Sequence, residues 1–476
     1  MDSVIVAGLG ESGISAAELL LFYGKRVLLY DDNSAAFEGE AAAGLVSRGC
    51  VRLKRAEDVY ASGASLAVLS PGVSRKLALV SACERAGIPA VSEPEFAARY
   101  TGGAAVAAVT GTDGKSTVCA LLGHILNQSG ITACVCGNFG NSLSREVLKV
   151  QIGQAALPRV YVIEMSSYQL EGCVDFKPDI AVLTNLAPDH LERHGTFENY
   201  AEAKLRLFKN MGAGGLAVIG IDALKPLGAY SSANETDALA VGESSAKSRS
   251  AIKSRLPRCK KVCFSAADRR CYARISGGNL MLGKRILCGA DELKIPGVHN
   301  LSNALAAACA AEALGAGVQQ TAHALKSFAG LAHRLQYAGQ SGGVKIYNDS
   351  KSTNAHACLA AVRAIAGGTV LILGGSDGKN EDFYSLFKAL PDSVRMCVLT
   401  GAASKRLAGA AADARFKECI LEPDFKRAVV VALLNCKSGE NLLFSPACAS
   451  FDRFKNFEHR GESFLEIISA FSDKGN

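Results

Sequence analysis

Gly111-Thr112-Asp113-Gly114-Lys115-Ser116-Thr117 stands between the apolar run Ala104 to Val109 and the helix-like stretch Val118 to Leu126. That order reads as a strand, a glycine-rich turn and a helix N-terminus, which together form a phosphate cradle. Backbone N–H groups and the helix dipole attract anionic oxygens, Lys115 supplies a point charge, and the hydroxyl of Ser116 or Thr117 is placed to meet a phosphate-bound Mg²⁺. The full Walker spacing needs glycine at position 109, where the chain has Val109, so the loop is an abbreviated variant.

Outward from this loop, strand and helix signals alternate. Val4 to Gly8 is an apolar strand, Gly8-Leu9-Gly10-Glu11-Ser12-Gly13 a turn, Ile14 to Tyr23 helical, and Arg26 to Tyr30 a strand ending at Asp31. This GxGxxG turn, with an acid 18 residues beyond Gly13, matches the dinucleotide fingerprint and by itself points to NAD or FAD. Ala67 to Leu69 runs into the turn Ser70-Pro71-Gly72, at the strand end where open α/β sheets bind ligands. After the phosphate loop, strands are expected at Arg159 to Glu164, Asp179 to Asn185, Leu216 to Gly220, Lys261 to Phe264, Arg270 to Ile275 and Asn279 to Leu282. Helices are expected at Phe197 to Asn210 and Asn300 to Leu314, with Ser231 to Arg255 as loop. A last region has strands at Val344 to Tyr347, Val370 to Leu373, Met396 to Leu399 and Asn441 to Phe444. The economical reading is three tandem α/β domains, at 1–98, 99–330 and 331–476.

At 476 residues the chain exceeds what one hydrophobic core usually supports, and 49% apolar residues can fill several. No apolar stretch approaches the roughly 20 residues of a membrane span, and Met1 to Gly10 runs straight into a strand pattern, so no membrane insertion and a cytoplasmic location are expected. The 16 cysteines are scattered without a CxxC pair, and the uneven spacing of Cys259, Cys263 and Cys271 argues against zinc. Seven basic residues and no acidic ones lie between Ser244 and Lys261, which accounts for the whole net charge of +7. A Ser-rich basic segment without interleaved aromatics reads as a solvated loop rather than a nucleic-acid groove.

Glu164 ends the strand Val160 to Ile163, and Asn185 ends another that leads to Asp189 and His190. Taken singly, these are an exposed strand end and a packed or capping histidine. Beside a phosphate loop, a carboxylate and an imidazole point to a second Mg²⁺ site.

Several segments in order carry a resemblance: Gly111 to Thr117, Glu164-Met165-Ser166-Ser167-Tyr168-Gln169-Leu170, Asn185 with Asp189-His190, His299-Asn300, His333-Arg334, and Asn348-Asp349-Ser350-Lys351-Ser352-Thr353-Asn354. The chain resembles the ATP-dependent Mur ligases of peptidoglycan synthesis, together with folylpolyglutamate synthases. Ser445 to Asp452 followed by Phe454-Lys455-Asn456-Phe457 resembles the D-glutamate-adding branch. The resemblance implies an N-terminal Rossmann-like UDP-binding domain, a central P-loop ATPase-like domain and a C-terminal Rossmann-like domain. It implies ATP and Mg²⁺, the substrates UDP-N-acetylmuramoyl-L-alanine and D-glutamate, an acyl-phosphate intermediate, and a monomer.

By the same resemblance, Lys115 holds the β- and γ-phosphates and Ser116 the first Mg²⁺, while Glu164, His190 and a carbamylated Lys204 form the second metal site. Gly111, Thr112, Asp113, Gly114, Thr117, Asn300, Asn303, Arg334 and Asp349 surround ATP. Ser12, Asp31, Ser70 and Asn138 match the UDP-sugar pocket, and Thr353, Lys379, Ser450 and Phe457 the D-glutamate site. The first glycine turn would then hold the diphosphate of UDP rather than of NAD, since a backbone cradle recognises phosphate and not the attached base. Asp113 departs from the family's usual asparagine, and a carboxylate there is costly unless it points away from the triphosphate or reaches Mg²⁺. Three other readings compete: a ligase for another amino acid, an NAD-dependent oxidoreductase using Gly8 to Gly13, and a non-catalytic nucleotide sensor.

Overall fold

The computed structural model describes residues 2–224, 259–377 and 381–472. Contacts divide the chain into two compact units, Met1–Glu292 with Leu301–Lys326, and Leu293–Asn300 with Ser327–Asn476.

The first unit carries two sheets. Strands β1 (Ser3–Ala7), β2 (Arg26–Tyr30), β3 (Val51–Arg52), β4 (Ala64–Leu69) and β5 (Ala90–Ser92) form a parallel sheet in the order β3-β2-β1-β4-β5. The order reverses between β1 and β4, so their carboxyl ends open the crevice where such sheets bind ligands. The second sheet contains β6 (Ala105–Thr110), β7 (Ala133–Gly137), β8 (Val160–Glu164), β9 (Ile180–Leu183), β10 (Leu216–Gly220), β11 (Lys260–Ser265), β12 (Ala273–Ser276), β13 (Asn279–Leu282) and β14 (Arg285–Gly289). Its order is β14-β13-β12-β11-β10-β9-β6-β8-β7, with only the β12–β13 and β13–β14 pairs antiparallel. Strands β6, β8 and β9 are buried almost throughout, as expected of parallel strands covered on both faces. One hydrophobic core joins the two sheets, running from Val4, Val6 and Leu20 through Phe96 to Val106, Leu143 and Tyr161.

The joint between these sheets is polar as well as apolar. Glu95 accepts backbone N–H bonds from Val174, Asp175 and Phe176 at 3.1, 3.0 and 2.8 Å, and fully buried Glu93 accepts from Ser144 N at 2.6 Å. Arg145 donates to Glu18 at 2.6 Å, adding a charged link at the surface.

The second unit holds β15 (Gln336–Ser341), β16 (Val344–Asn348), β17 (Thr369–Gly374), β18 (Val394–Thr400), β19 (Cys419–Leu421) and β20 (Asn441–Phe444), ordered β15-β16-β20-β17-β18-β19. Only the edge strand β15 is antiparallel. The carboxyl ends of β16, β20 and β17 are therefore neighbours, and the loops that follow them share one edge.

Two expected elements differ. The helix expected over Phe197 to Asn210 ends at Leu205 and tightens into a 3₁₀ turn at Arg206–Phe208. The strand expected over Arg270 to Ile275 starts at Ala273, because Asp268 captures both the backbone N–H of Arg270, at 2.9 Å, and its guanidinium. The basic segment from Ser244 lies outside the described residues as far as Arg258. All 16 cysteines are free thiols, and 12 of them are buried. Among the described residues no helix is long and apolar enough to cross a membrane.

Candidate active site

The phosphate loop turns at two glycines that no other residue could replace without movement. Gly111 has φ +149°, and a Cβ there would collide with Thr184 Oγ1; Gly114 has φ +80°, and its Cβ would collide with Asn303 Oδ1. Gly114 ends the turn as the N-cap of helix Lys115–Gln128. The end of β9 braces the loop: Thr184 Oγ1 donates to Asp113 O at 2.6 Å, and Asp113 N donates to Asn185 Oδ1 at 2.8 Å. Thr112 Oγ1 lies 2.9 Å from Tyr200 OH. Asp113 itself is exposed. Ser116 is buried at the start of the helix, whereas Thr117 is only partly covered.

Lys115 Nζ donates to the carbonyls of Gly111 and Thr112 at 3.0 and 2.6 Å. Lys204, 2% exposed on helix Phe197–Leu205, donates to Gly111 O at 2.7 Å. Burial pushes the Lys204 ammonium down to about 6, and the nearby Lys115 pushes the same way; Asp189, Glu164 and Asp113 oppose them. An amine at that value is largely uncharged at neutral pH.

Glu164 ends β8 in register with Val109 of β6 and Gly137 of β7. It is 2% exposed; Oε1 accepts from Asn138 Nδ2 at 2.8 Å, while Oε2 is buried with no hydrogen-bond partner. A buried carboxylate oxygen left without a donor is what a cation would satisfy. Among the described residues no three His, Cys, Asp or Glu side chains form a metal cage, so a cation here would take its other ligands from hydroxyls, phosphate oxygens or water. His190 is half-exposed in a left-handed conformation, φ 53°, between Asp189 and Glu192 at 3.5 Å each, with its ring 5.0 Å from that of Tyr168.

Sequence reasoning singled out His190 and passed over His194, four residues on. His194 is buried, with Nδ1 3.1 Å from Glu171 Oε1 and Nε2 3.0 Å from Ser167 Oγ. Burial lowers its pKa, so it is neutral at pH 7, with Nδ1–H assigned to the carboxylate. The i, i+4 histidine spacing was the available signal. Asn138, on the loop after β7, donates through Nδ2 to Glu164, so it sits directly beside that carboxylate.

At the first sheet the third glycine of the fingerprint is required, because a Cβ on Gly13 would collide with Gly8 O. Asp31 is tied into the turn: Oδ2 accepts from Leu9 N at 2.8 Å and Oδ1 from Asn33 N at 2.9 Å. Ser70 Oγ donates to Gly8 O at 2.8 Å, joining the ends of β1 and β4. Ser12 sits in the first turn of helix Glu11–Phe22. A cavity of about 350 Å³, lined by Asp2, Val4, Lys25, Phe96, Arg99 and Tyr100 among others, contains none of these groups.

In the second unit Asp349 follows β16 and is buried, accepting from Ser445 Oγ at 2.7 Å, from Ser352 Oγ, and from Leu335 N at 2.9 Å. Burial raises its pKa to about 6, against those bonds and the charge of Arg334. Asn300 donates to Pro296 O at 2.7 Å. Arg460, 1% exposed, gathers the loops: it donates to Ser350 Oγ and O at 3.0 and 2.7 Å and to the carbonyls of Cys448 and Ala449 at 2.9 and 3.1 Å. Ser350 Oγ in turn donates to Phe457 O at 2.8 Å. Ser450 follows a carbonyl that Arg460 holds, Phe457 opens the helix Phe457–Ser472 beside Ser350, and Thr353 lies three residues after Ser350. Lys379 lies outside the described residues.

A glycine cradle, a near-neutral buried amine and a half-satisfied carboxylate at the carboxyl ends of parallel strands define an α/β protein built to handle nucleotide phosphates. Residues 109–311 match the Mur ligase middle domain, and residues 333–448 match the Mur ligase glutamate ligase domain. The chain belongs to the Mur ligase family. It is 35% identical, over 98% of its length and 97% of the relative's, to the UDP-N-acetylmuramoylalanine–D-glutamate ligase of Pelotomaculum thermopropionicum. The enzyme of the same name from Caulobacter vibrioides is 36% identical, over 99% of this chain and 97% of that one. The MurF ligase of Thermotoga maritima, solved in complex with ADP, shares the fold with a TM-score of 0.57 at 16% identity, covering 92% of this chain and 94% of that one.

Proposed function

We propose that the chain is an ATP-dependent ligase that joins D-glutamate to UDP-N-acetylmuramoyl-L-alanine in peptidoglycan precursor synthesis. The observation that carries this reading is the sharing of the Gly111 carbonyl by Lys115 and Lys204 at a phosphate loop beside Glu164. The names of the near full-length relatives support the choice of substrates.

Under this reading the domains are 1–98 for the UDP-sugar, 99–330 for ATP and 331–476 for the amino acid. The carboxylate oxygen of the muramoyl-L-alanine attacks the γ-phosphorus of ATP, the bond to the bridging oxygen breaks, and ADP leaves with its electron pair. The nitrogen of D-glutamate then attacks the carbonyl carbon of the acyl phosphate. Inorganic phosphate leaves with the C–O electrons, the nitrogen loses a proton, and an amide remains. Lys115 and the loop N–H groups orient the triphosphate and offset its charge as the anionic nucleophile approaches. Ser116, Glu164, His190 and carbamylated Lys204 would hold Mg²⁺, which supplies further charge neutralisation when bound.

The depressed Lys204 amine supports carbamylation: the uncharged nitrogen adds to the carbon of CO₂, one proton leaves, and an anionic carbamate replaces a neutral amine. Asn300, Asn303, Arg334 and Asp349 are assigned to the nucleotide; Ser12, Asp31, Ser70 and Asn138 to the UDP-sugar; Thr353, Lys379, Ser450 and Phe457 to D-glutamate. The same reading gives a cytoplasmic monomer whose partners are small molecules.

The test is phosphate release from ATP. It should require UDP-N-acetylmuramoyl-L-alanine and D-glutamate together, with Mg²⁺. Turnover with D-glutamate replaced equally well by L-alanine or meso-diaminopimelate would refute the substrate assignment.

A further inference from the structure

Arg193 lies on the one-turn helix Leu191–His194, and nothing in the proposed chemistry uses it. Its side chain is 19% exposed, and both of its terminal nitrogens are held. One terminal nitrogen donates to Glu171 Oε2 at 3.0 Å and to Val73 O at 3.3 Å, and the other donates to Pro71 O at 3.4 Å. The guanidinium carbon lies over the ring of Tyr168, 3.9 Å from its centroid. Glu171 cannot swing away freely, because its other oxygen is 3.1 Å from His194 Nδ1.

The two carbonyls that Arg193 reaches belong to a working part of the first sheet. Ser70, just before Pro71, hydrogen-bonds the carbonyl of Gly8 at 2.8 Å, and Val73 Cγ2 lies where a Cβ on Gly8 would come within 2.7 Å. Any change in the glycine turn is therefore passed to the Ser70–Val73 segment by direct packing. On its other side Arg193 touches Tyr168, and the same ring is 5.0 Å from His190. His190 is three residues before Arg193 and holds a left-handed backbone, a conformation that costs energy for a non-glycine residue unless neighbours fix it.

We infer that Arg193 is a positioning residue that ties the UDP-sugar turn Ser70–Val73 to the loop carrying His190, so that filling the first site orders the second. The inference rests on the proposed function, which puts the UDP-sugar at the one and Mg²⁺ at the other. A planar fork with a stacking face suits this place: it reaches two carbonyls and a carboxylate with its central carbon over an aromatic ring, which the single ammonium of lysine cannot do. Arg193 touches no reacting atom, and its effect runs entirely through the segments it holds.

Arg193→Lys and Arg193→Ala are to be compared with the wild type by steady-state phosphate release and thermal melting. Loss of a charged, partly buried hydrogen-bond network corresponds to about tenfold or more in the affected constants. Both variants should therefore show an increase of that size in the KM for UDP-N-acetylmuramoyl-L-alanine and in the Mg²⁺ concentration giving half-maximal rate, with the KM for ATP changed by less than about twofold. Lysine should not restore either constant. The inference is overturned if Arg193→Lys behaves as wild type in both constants, if only one of them moves, or if the variants differ from wild type in melting temperature alone. Should Arg193→Ala fail to fold, Arg193→Lys decides by the same criteria. A wild-type protein inactive with the three substrates would overturn the ligase reading and this tie with it; unchanged variants of an active wild type would overturn the tie alone.

Discussion

Lys115 and Lys204 donate to a single acceptor, the carbonyl oxygen of Gly111, at 3.0 and 2.7 Å. Two ammonium groups around one carbonyl repel each other, and the deeper one yields: burial first, and Lys115 second, bring Lys204 from its ordinary 10.5 to about 6. One of the two sites therefore carries a cation for the triphosphate, and the other carries a nucleophilic amine.

That division makes Lys204 reactive toward CO₂ near neutrality. A carbamate resonance is expected when the protein is held in ¹³C-bicarbonate above about pH 6, where the amine is free, and it should fade below that value. Lys204→Ala should be inactive and regain activity with acetate, which fills the vacated space with a carboxylate; Lys204→Arg, whose cation is fixed, should not recover. The folded chain also binds fewer protons at this site than the unfolded chain between about 6 and 10.5, so the site's contribution to stability rises with pH across that window. Lys204→Gln should flatten that rise in melting temperature.

Lys115→Ala leaves the loop backbone in place, since Thr184, Asn185 and Tyr200 brace it independently. The rate should fall by about 10²-fold or more with little change in melting temperature. Turnover within a few-fold of wild type would remove Lys115 from the phosphate site.

Gly114→Ala acts through the backbone instead. Its φ of +80° disfavours any L side chain, and the added methyl would press on Asn303. A destabilisation of about 1–3 kcal/mol is expected by chemical denaturation, together with weaker ATP binding by calorimetry. Full stability with unimpaired ATP binding would mean that the turn tolerates a different conformation.

Glu93 should set a second pH dependence, of opposite sign. Burial raises its carboxyl from 4.5 to about 7 despite the bond from Ser144 N. The folded chain keeps a proton there that the unfolded chain has lost, so the contribution present below about 4.5 is lost as pH rises through 7, by at most roughly 3 kcal/mol. Glu93→Gln can still accept from Ser144 N and should melt higher than wild type above about pH 7, with the difference vanishing near pH 5. An identical melting profile for the two proteins would show that this carboxyl does not titrate in the folded state.

The parts legible in the sequence were those with local signals. The phosphate loop, the first glycine turn and strands such as β6, β8 and β17 appear as apolar runs ended by glycine or by a polar residue. Strand β15, Gln336–Ser341, is polar, contains Gly339 and lies at a sheet edge, so no burial pattern marked it. β3 has two residues, both exposed, and β19 has three; such edges leave little trace. The site contacts that escaped notice are long-range: Arg193 with Pro71 spans 122 residues, and Arg460 with Ser350 spans 110. No spacing rule reaches that far, whereas the pairing of Asn138 with Glu164 follows only once β7 and β8 are known to be neighbours in register.

The core that runs from Val4 to Tyr161 without a break gives the first two sheets a common fate. Their strands have separate ladders, yet removing β1 from its place uncovers side chains on which the second sheet also rests, and the helix Glu93–Ala97 beyond β5 holds the backbone amides of residues 174–176 through Glu95. Hydrogen exchange should therefore find the amides of β1 and β6 opening together, as a single cooperative unit. An excised fragment 1–98 would carry a complete sheet with one face covered by its own residues, and would bare to water the side chains of the other face that now rest on the second sheet.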